Sequence, residues 1–125
     1  MLILGAAVGV GFAALHRGAR DQVERGEKLY TFSCASCHGR HGEGGYQVPA
    51  LIGPSRRYCR RFPTALHLYR WVSRQMPPED VLRPQEYWDI LAFLLSANGE
   101  LPRSRVLNPD TASRTPLRTS CPKGP

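Results

Sequence analysis

Apolar and polar positions divide this chain into stretches of different character. Leu2 to Leu15 reads LILGAAVGVGFAAL without a charge. That is shorter than the ~20 residues needed to cross a bilayer. It matches a signal-peptide core in length, but the basic region that should precede such a core is absent, and His16, Arg17 and Arg20 follow it instead. The preferred reading of residues 1–20 is a retained membrane anchor. An uncleaved signal core, or a helix buried against other subunits, is the alternative. From Asp21 the run DQVERGEKLYTFSC places Val23, Gly26 and Tyr30 on or near one side and charges on the other, an amphipathic helix. Gly26 in its interior costs ~1 kcal/mol relative to alanine, which points to close approach of another helix.

Residues 39–55, GRHGEGGYQVPALIGPS, are too rich in glycine and proline for anything but a loop. A second helix is expected over Phe62 to Gln75, with Pro63 in its first turn and Leu66, Tyr69, Trp71 and Val72 as its apolar surface. Met76-Pro77-Pro78 ends it. A third runs from about Pro84 to Ala97, opened by proline and closed by Asn98-Gly99. Its main apolar face is Trp88, Leu91, Ala92 and Leu95, widened by Ile90, Phe93 and Leu94. From Leu101, proline, serine, threonine and arginine dominate and the period is lost, which reads as an extended basic tail. The expected class is therefore all-α: an apolar segment over 1–20, a small helical domain over 21–100 and a tail over 101–125.

Composition narrows the picture. A packed unit of only ~80 residues is small for an unaided core, and a large apolar cofactor would supply its centre. Lys and Arg number 17 against 10 Asp and Glu, a net charge of +7, which suits an acidic partner or an anionic surface. Part of the excess lies in the tail, at Arg103, Arg105, Arg114, Arg118 and Lys123.

The chemistry starts at Cys34-Ala35-Ser36-Cys37-His38. Two cysteines two residues apart, followed at once by histidine, form the attachment pattern for c-type haem. On one helical turn the two sulfurs can meet two vinyl groups of one porphyrin, and His38 can bind the iron from below. A thioredoxin-like motif needs a βαβ context that is missing here, and a zinc site needs a second ligand pair that does not follow. Such attachment takes place outside the bacterial cytoplasm, where disulfides also persist. The remaining cysteines, Cys59 and Cys121, are then a candidate disulfide worth ~4 kcal/mol by loop entropy; two separate thiols are the alternative.

The second axial ligand decides the reactivity. Met1, His16, His41, His67 and Met76 are the candidates. Met1 and His16 belong to the apolar segment or its edge, His41 lies too close to His38 to reach the other ring face, and His67 sits within a helix. Met76 is the only methionine after the motif, at a helix end stiffened by prolines. Thioether ligation favours ferrous iron and fills the last coordination position, making an electron carrier rather than a catalyst.

With these residues the chain resembles the monohaem class I cytochrome c family, of the membrane-attached subunit type, over roughly residues 22–99. The resemblance rests on Gly26 and Tyr30, CASCH, the loop from Gly42 to Leu51, Met76-Pro77 and the closing helix YWDILAFLLSANG. It implies one covalent haem c in a small fold of three to four helices. It also implies that the first and last helices cross, with Gly26 and Tyr30 against Trp88 or Tyr87, and that the Pro49 carbonyl accepts the free N–H of His38. The basic RRYCRR segment around Cys59, the tail and the apolar start depart from the family pattern.

The function expected is electron transfer between a redox protein donor and acceptor by a subunit of a membrane complex, respiratory or photosynthetic, on the periplasmic side of a bacterial inner membrane. A freely diffusing periplasmic carrier is the nearest alternative, and a haem enzyme or sensor with an open sixth site a more distant one. Nucleic acid is not an expected partner, because an exported haem protein rarely meets it.

Overall fold

The computed structural model describes residues 4–123, except for the side chains of 4–10 and 12. Met1 and the first residues of the apolar segment lie outside that range. The described chain is helical. Its six helices are α1 (Leu4–Ser33), α2 (Ala35–His38), α3 (Tyr58–Arg61), α4 (Ala65–Gln75), α5 (Pro84–Ala97) and α6 (Pro109–Ser113), followed by a 3-10 turn at Arg118–Ser120. There is no strand among the described residues, only two isolated bridges.

α1 passes through residue 20 without a break. The apolar segment and the amphipathic helix, expected as separate units, are one rod, because no proline separates them and the single Gly18 does not break the helix. At 1.5 Å per residue it is about 45 Å long. No helix among the described residues is long and apolar enough to cross a membrane. On α1, Ala13, Ala14 and Leu15 are exposed, whereas Ala19, Gln22, Gly26 and Tyr30 are buried.

The core forms where α1 crosses α5. A Cβ on Gly26 would collide with the backbone carbonyl of Asp89 and approach the Phe93 side chain, so only glycine permits this contact. Tyr30 packs on Phe93 at 5.5 Å between ring centroids. Neither Trp88 nor Tyr87 is the aromatic partner of Tyr30. Gly26 fixes the crossing at Asp89, and Phe93 is the residue one turn further along that face. Trp88 instead stacks on Tyr69 of α4 at 3.7 Å, and Tyr87 meets Tyr69 edge-on. Arg25 pairs with the buried Asp89 at 3.0 Å.

The segment after residue 100 is not an extended tail. Leu101, Leu107, Ala112 and Leu117 are buried in the same core. Gln22 holds Leu107 from both sides, donating to its carbonyl at 2.8 Å and accepting its N–H at 2.7 Å. Asn108 caps α6 by accepting from Thr111 N. The chain then pairs with the start of α4 through Ala65 N to Thr115 O and Leu117 N to Pro63 O, and a disulfide joins Cys121 to Cys59 of α3.

Candidate functional site

Cys34, Cys37 and His38 lie where α1 gives way to α2. Helical bonding continues across the junction, Cys34 N donating to Tyr30 O and His38 N to Cys34 O, each at 2.9 Å. A single turn therefore carries both thiols and the imidazole. They are the only free cysteines among the described residues, Cys34 partly buried and Cys37 exposed. Burial, and then the neighbouring Cys37, push the Cys34 thiol up to about 11, so at neutral pH it is a protonated thiol rather than a reactive thiolate.

His38 Nδ1 is 3.0 Å from the Pro49 carbonyl oxygen. A carbonyl only accepts, so Nδ1 is the donor, and in the neutral ring this tautomer leaves the lone pair on Nε2. The loop after the motif is folded to place Pro49 there. Gly44 N donates to His38 O at 2.7 Å, and Leu51 N and Ile52 N converge on Gly42 O at 2.8 and 3.0 Å. Gly44 has φ +76°, and a Cβ there would stand 2.7 Å from Ala50 N and Val48 O, so the turn depends on glycine. Tyr30 donates its hydroxyl to Gly39 O at 2.7 Å. Burial raises that hydroxyl to about 12, which keeps it protonated as a donor.

Two residues that support the site were legible in the sequence only in other roles, one as a helix-end signal and one as an aromatic of the helix crossing. Asn98, at the end of α5, donates to Leu51 O at 2.8 Å and accepts from Gly53 N at 3.0 Å. It also donates to the Tyr58 hydroxyl, whose partner is Glu100. Glu100 pairs with Arg56 at 2.6 Å, both side chains being almost fully buried, and Arg56 reaches on to Gly53 O and Ser120 O. This network fastens the far end of the His38–Pro49 loop to α5 and to the C-terminal segment. The second residue is Tyr87. Its buried ring lies at the start of α5, and its hydroxyl donates to Met76 O at 2.7 Å.

Met76 is the C-terminal cap of α4, its N–H donating to Val72 O at 2.9 Å, and it is partly buried. Of the other candidate ligands, His67 is exposed and hydrogen-bonded to Thr64 at 2.8 Å. His41 is exposed in the loop, its N–H taken by Glu43. His16 lies on α1 beside residues 101–105. Met1 falls outside the described residues.

Among the described residues, no group of three or more His, Cys, Asp or Glu side chains is arranged to hold a bare metal ion. The donor set fits a haem instead. There are two thiols for thioethers and one imidazole oriented through Nδ1. Leu51, Ile52, Leu66, Tyr69, Val72 and Leu82 are apolar side chains only partly buried against the core.

An all-α domain carrying this donor set on one turn belongs to the c-type haem proteins. The cytochrome c family profile matches residues 23–98, and the chain belongs to that family. Membership implies covalently bound haem c and electron transfer. The chain is also similar to the thiosulfate dehydrogenase of Allochromatium vinosum, at 32% identity over 74% of this chain and 38% of that protein. In three dimensions it is similar to a chain in the crystal structure of the sulfane dehydrogenase SoxCD from Paracoccus pantotrophus. The TM-score is 0.66 and the identity 28%, over 78% of this chain and 54% of that one. It thus spans less than two thirds of either.

Proposed function

We propose that this chain is a monohaem electron carrier whose iron is held between His38 and Met76, with Cys34 and Cys37 as the thioether anchors. Haem c bound there supplies a one-electron couple. The chain's own residues do the rest. Pro49 fixes the His38 ring and its tautomer, and the loop glycines hold Pro49 in place. Tyr87 fixes the backbone at Met76, and α1 and α5 give the motif turn a rigid base. The observation that carries this reading is the His38–Pro49 bond of 3.0 Å on the same turn as two free thiols.

The partner is proposed to be a dehydrogenase, from which the carrier takes electrons as one unit of a larger redox assembly. Support comes from the two relatives, both named as dehydrogenases of sulfur compounds and both longer than this chain. Site of action is inferred to be the periplasmic side of a bacterial inner membrane, since thioether attachment and the Cys59–Cys121 disulfide both suit an oxidising compartment. The exposed apolar stretch at Ala13, Ala14 and Leu15 supports attachment to a membrane complex through the first half of α1.

The purified protein tests this directly. Intact mass should equal the chain plus one haem, and the oxidised form should show the weak red charge-transfer band of a methionine–iron bond. A mass without haem, or an oxidised spectrum without that band, contradicts the proposal.

A further inference from the structure

We propose that the groove between α1 and residues 101–105 is a binding site for a phosphate group. This goes beyond the electron-carrier reading and does not depend on it. The groove has a volume of about 420 Å³, and its walls carry Arg20 from α1 and Arg103 and Arg105 from the segment after α5. Glu24 is the one carboxylate that lines it. Ion pairs among the described residues join Arg25 to Asp89, Arg56 to Glu100 and Arg83 to Glu86. None of the three groove arginines is therefore neutralised within the chain.

The walls are fixed in place. Gln22 holds Leu107 through two hydrogen bonds, which seats the chain after α5 on α1. Arg105 N donates to Pro102 O at 3.0 Å, and this turn brings Arg103 and Arg105 to the same groove. The Arg105 guanidinium is itself held, donating to Arg114 O at 3.0 Å and to Thr115 Oγ1 at 3.1 Å. Both bonds use Nη1, so Nε and Nη2 are left to donate into the groove. Ala19 and Leu101, both buried, make its floor apolar, and charge acts more strongly in such a concavity than on an open surface. Three guanidinium groups around one small volume repel one another in the free chain and are favourable around an anion. Each can meet a phosphate through two parallel hydrogen bonds. The groove begins at His16, next to the uncharged stretch Leu2–Leu15, whose Ala13, Ala14 and Leu15 are exposed. Apolar surface beside a basic groove matches the headgroup layer of an anionic bilayer. Free inorganic phosphate offers the same chemistry without the apolar neighbour.

The test uses the full haem-loaded chain at low ionic strength. Co-sedimentation measures binding to phosphatidylcholine vesicles with and without phosphatidylglycerol, and calorimetry measures binding of inorganic phosphate against chloride of equal ionic strength. Arg20→Gln/Arg103→Gln is compared with Arg70→Gln/Arg74→Gln on α4, and each pair lowers the net charge from +7 to +5. All four side chains are exposed. The groove pair should lose affinity by about 10-fold or more, while the α4 pair stays near wild type. Glu24→Gln, which removes the carboxylate from the groove, should bind more tightly; weaker binding contradicts the proposal. Loss confined to the groove pair on phosphatidylglycerol vesicles supports the site and identifies a lipid headgroup, and the same loss on inorganic phosphate alone supports it and identifies the free ion. Equal loss in both pairs overturns the proposal, because net charge and not a groove would then be acting. Unchanged binding by the groove pair overturns it too, as does a wild type that binds neither probe. Equal binding to both kinds of vesicle, with no binding of inorganic phosphate, leaves attachment through α1 standing and overturns the phosphate site alone.

Discussion

The two sides of this domain are held by different means. Where α1 crosses α5, order comes from dry contact: Gly26 against the Asp89 backbone, Tyr30 on Phe93, and a core into which Leu107 and Leu117 are folded. On the motif side, from Cys34 to Gly53, order comes from backbone hydrogen bonds that glycines permit, with Cys37 and Pro49 exposed. The first side is stable by its own apolar burial. The second holds donors in position, and its Cys34, Ala35, Leu51 and Ile52 are only partly buried against that core. Stability and chemistry are thereby assigned to different residues, and substitutions should separate them.

The largest effect is expected at Arg56→Ala, which leaves the buried Glu100 with the Tyr58 hydroxyl but no cation and also removes a tie to Gly53 at the far end of the motif loop. The loss should be about 3–5 kcal/mol in denaturant unfolding, with haem still attached. If haem attachment fails while the chain remains folded, the two sides are not independent. Next comes Cys59→Ser, which opens a link spanning 62 residues. It should cost about 2–4 kcal/mol and leave the visible spectrum unchanged. Tyr87→Phe should cost only about 1 kcal/mol by thermal melting. It frees the Met76 carbonyl, however, and so should shift the reduction potential more than Cys59→Ser does; an unmoved potential would place Tyr87 with the scaffold.

The smallest effect is one of pH. Burial holds the Glu100 carboxyl above its ordinary value of 4.5, a shift that Arg56 and Tyr58 only partly offset. A group raised in the folded state contributes fully below its unfolded value, and the contribution is lost as pH rises through the folded one. Wild-type stability should therefore lose a little from pH 4.5 upward, and Glu100→Gln should flatten that decline in melting curves taken across the range. A steeper decline in the variant would show that the sign is wrong.

How much was readable from the residues depended on whether the signal was local. The α5 boundaries at Pro84 and Ala97 follow from a proline start and an Asn-Gly stop, both written within a few residues. The motif turn and the glycine- and proline-rich loop after it were legible for the same reason, whereas the bond from His38 to Pro49 was implied only by the family resemblance. The packing of the C-terminal segment was not. Its buried Leu101, Leu107, Ala112 and Leu117 follow no helical or strand period, and what fixes them is a glutamine on α1 and the Thr64–Pro116 bridge, both distant in sequence. The resemblance pointed to Trp88 or Tyr87 as the partner of Tyr30, and no period along α5 marks Phe93 instead, because the run from Ile90 to Leu95 is apolar all round. Asn98 and Tyr87 were hidden behind commoner roles, a cap and a core aromatic, and only the fold brings their polar atoms to the loops that carry Leu51 and Met76.

The most direct test of the account is the midpoint potential of Met76→Ala beside the wild type, measured by spectroelectrochemistry on protein whose haem is attached in both. Loss of the thioether ligand should lower the potential and abolish the red charge-transfer band while Cys34 and Cys37 still hold the haem. An unchanged potential with the band intact would contradict ligation by Met76, and with it the picture of an iron closed on both sides and working only as an electron carrier.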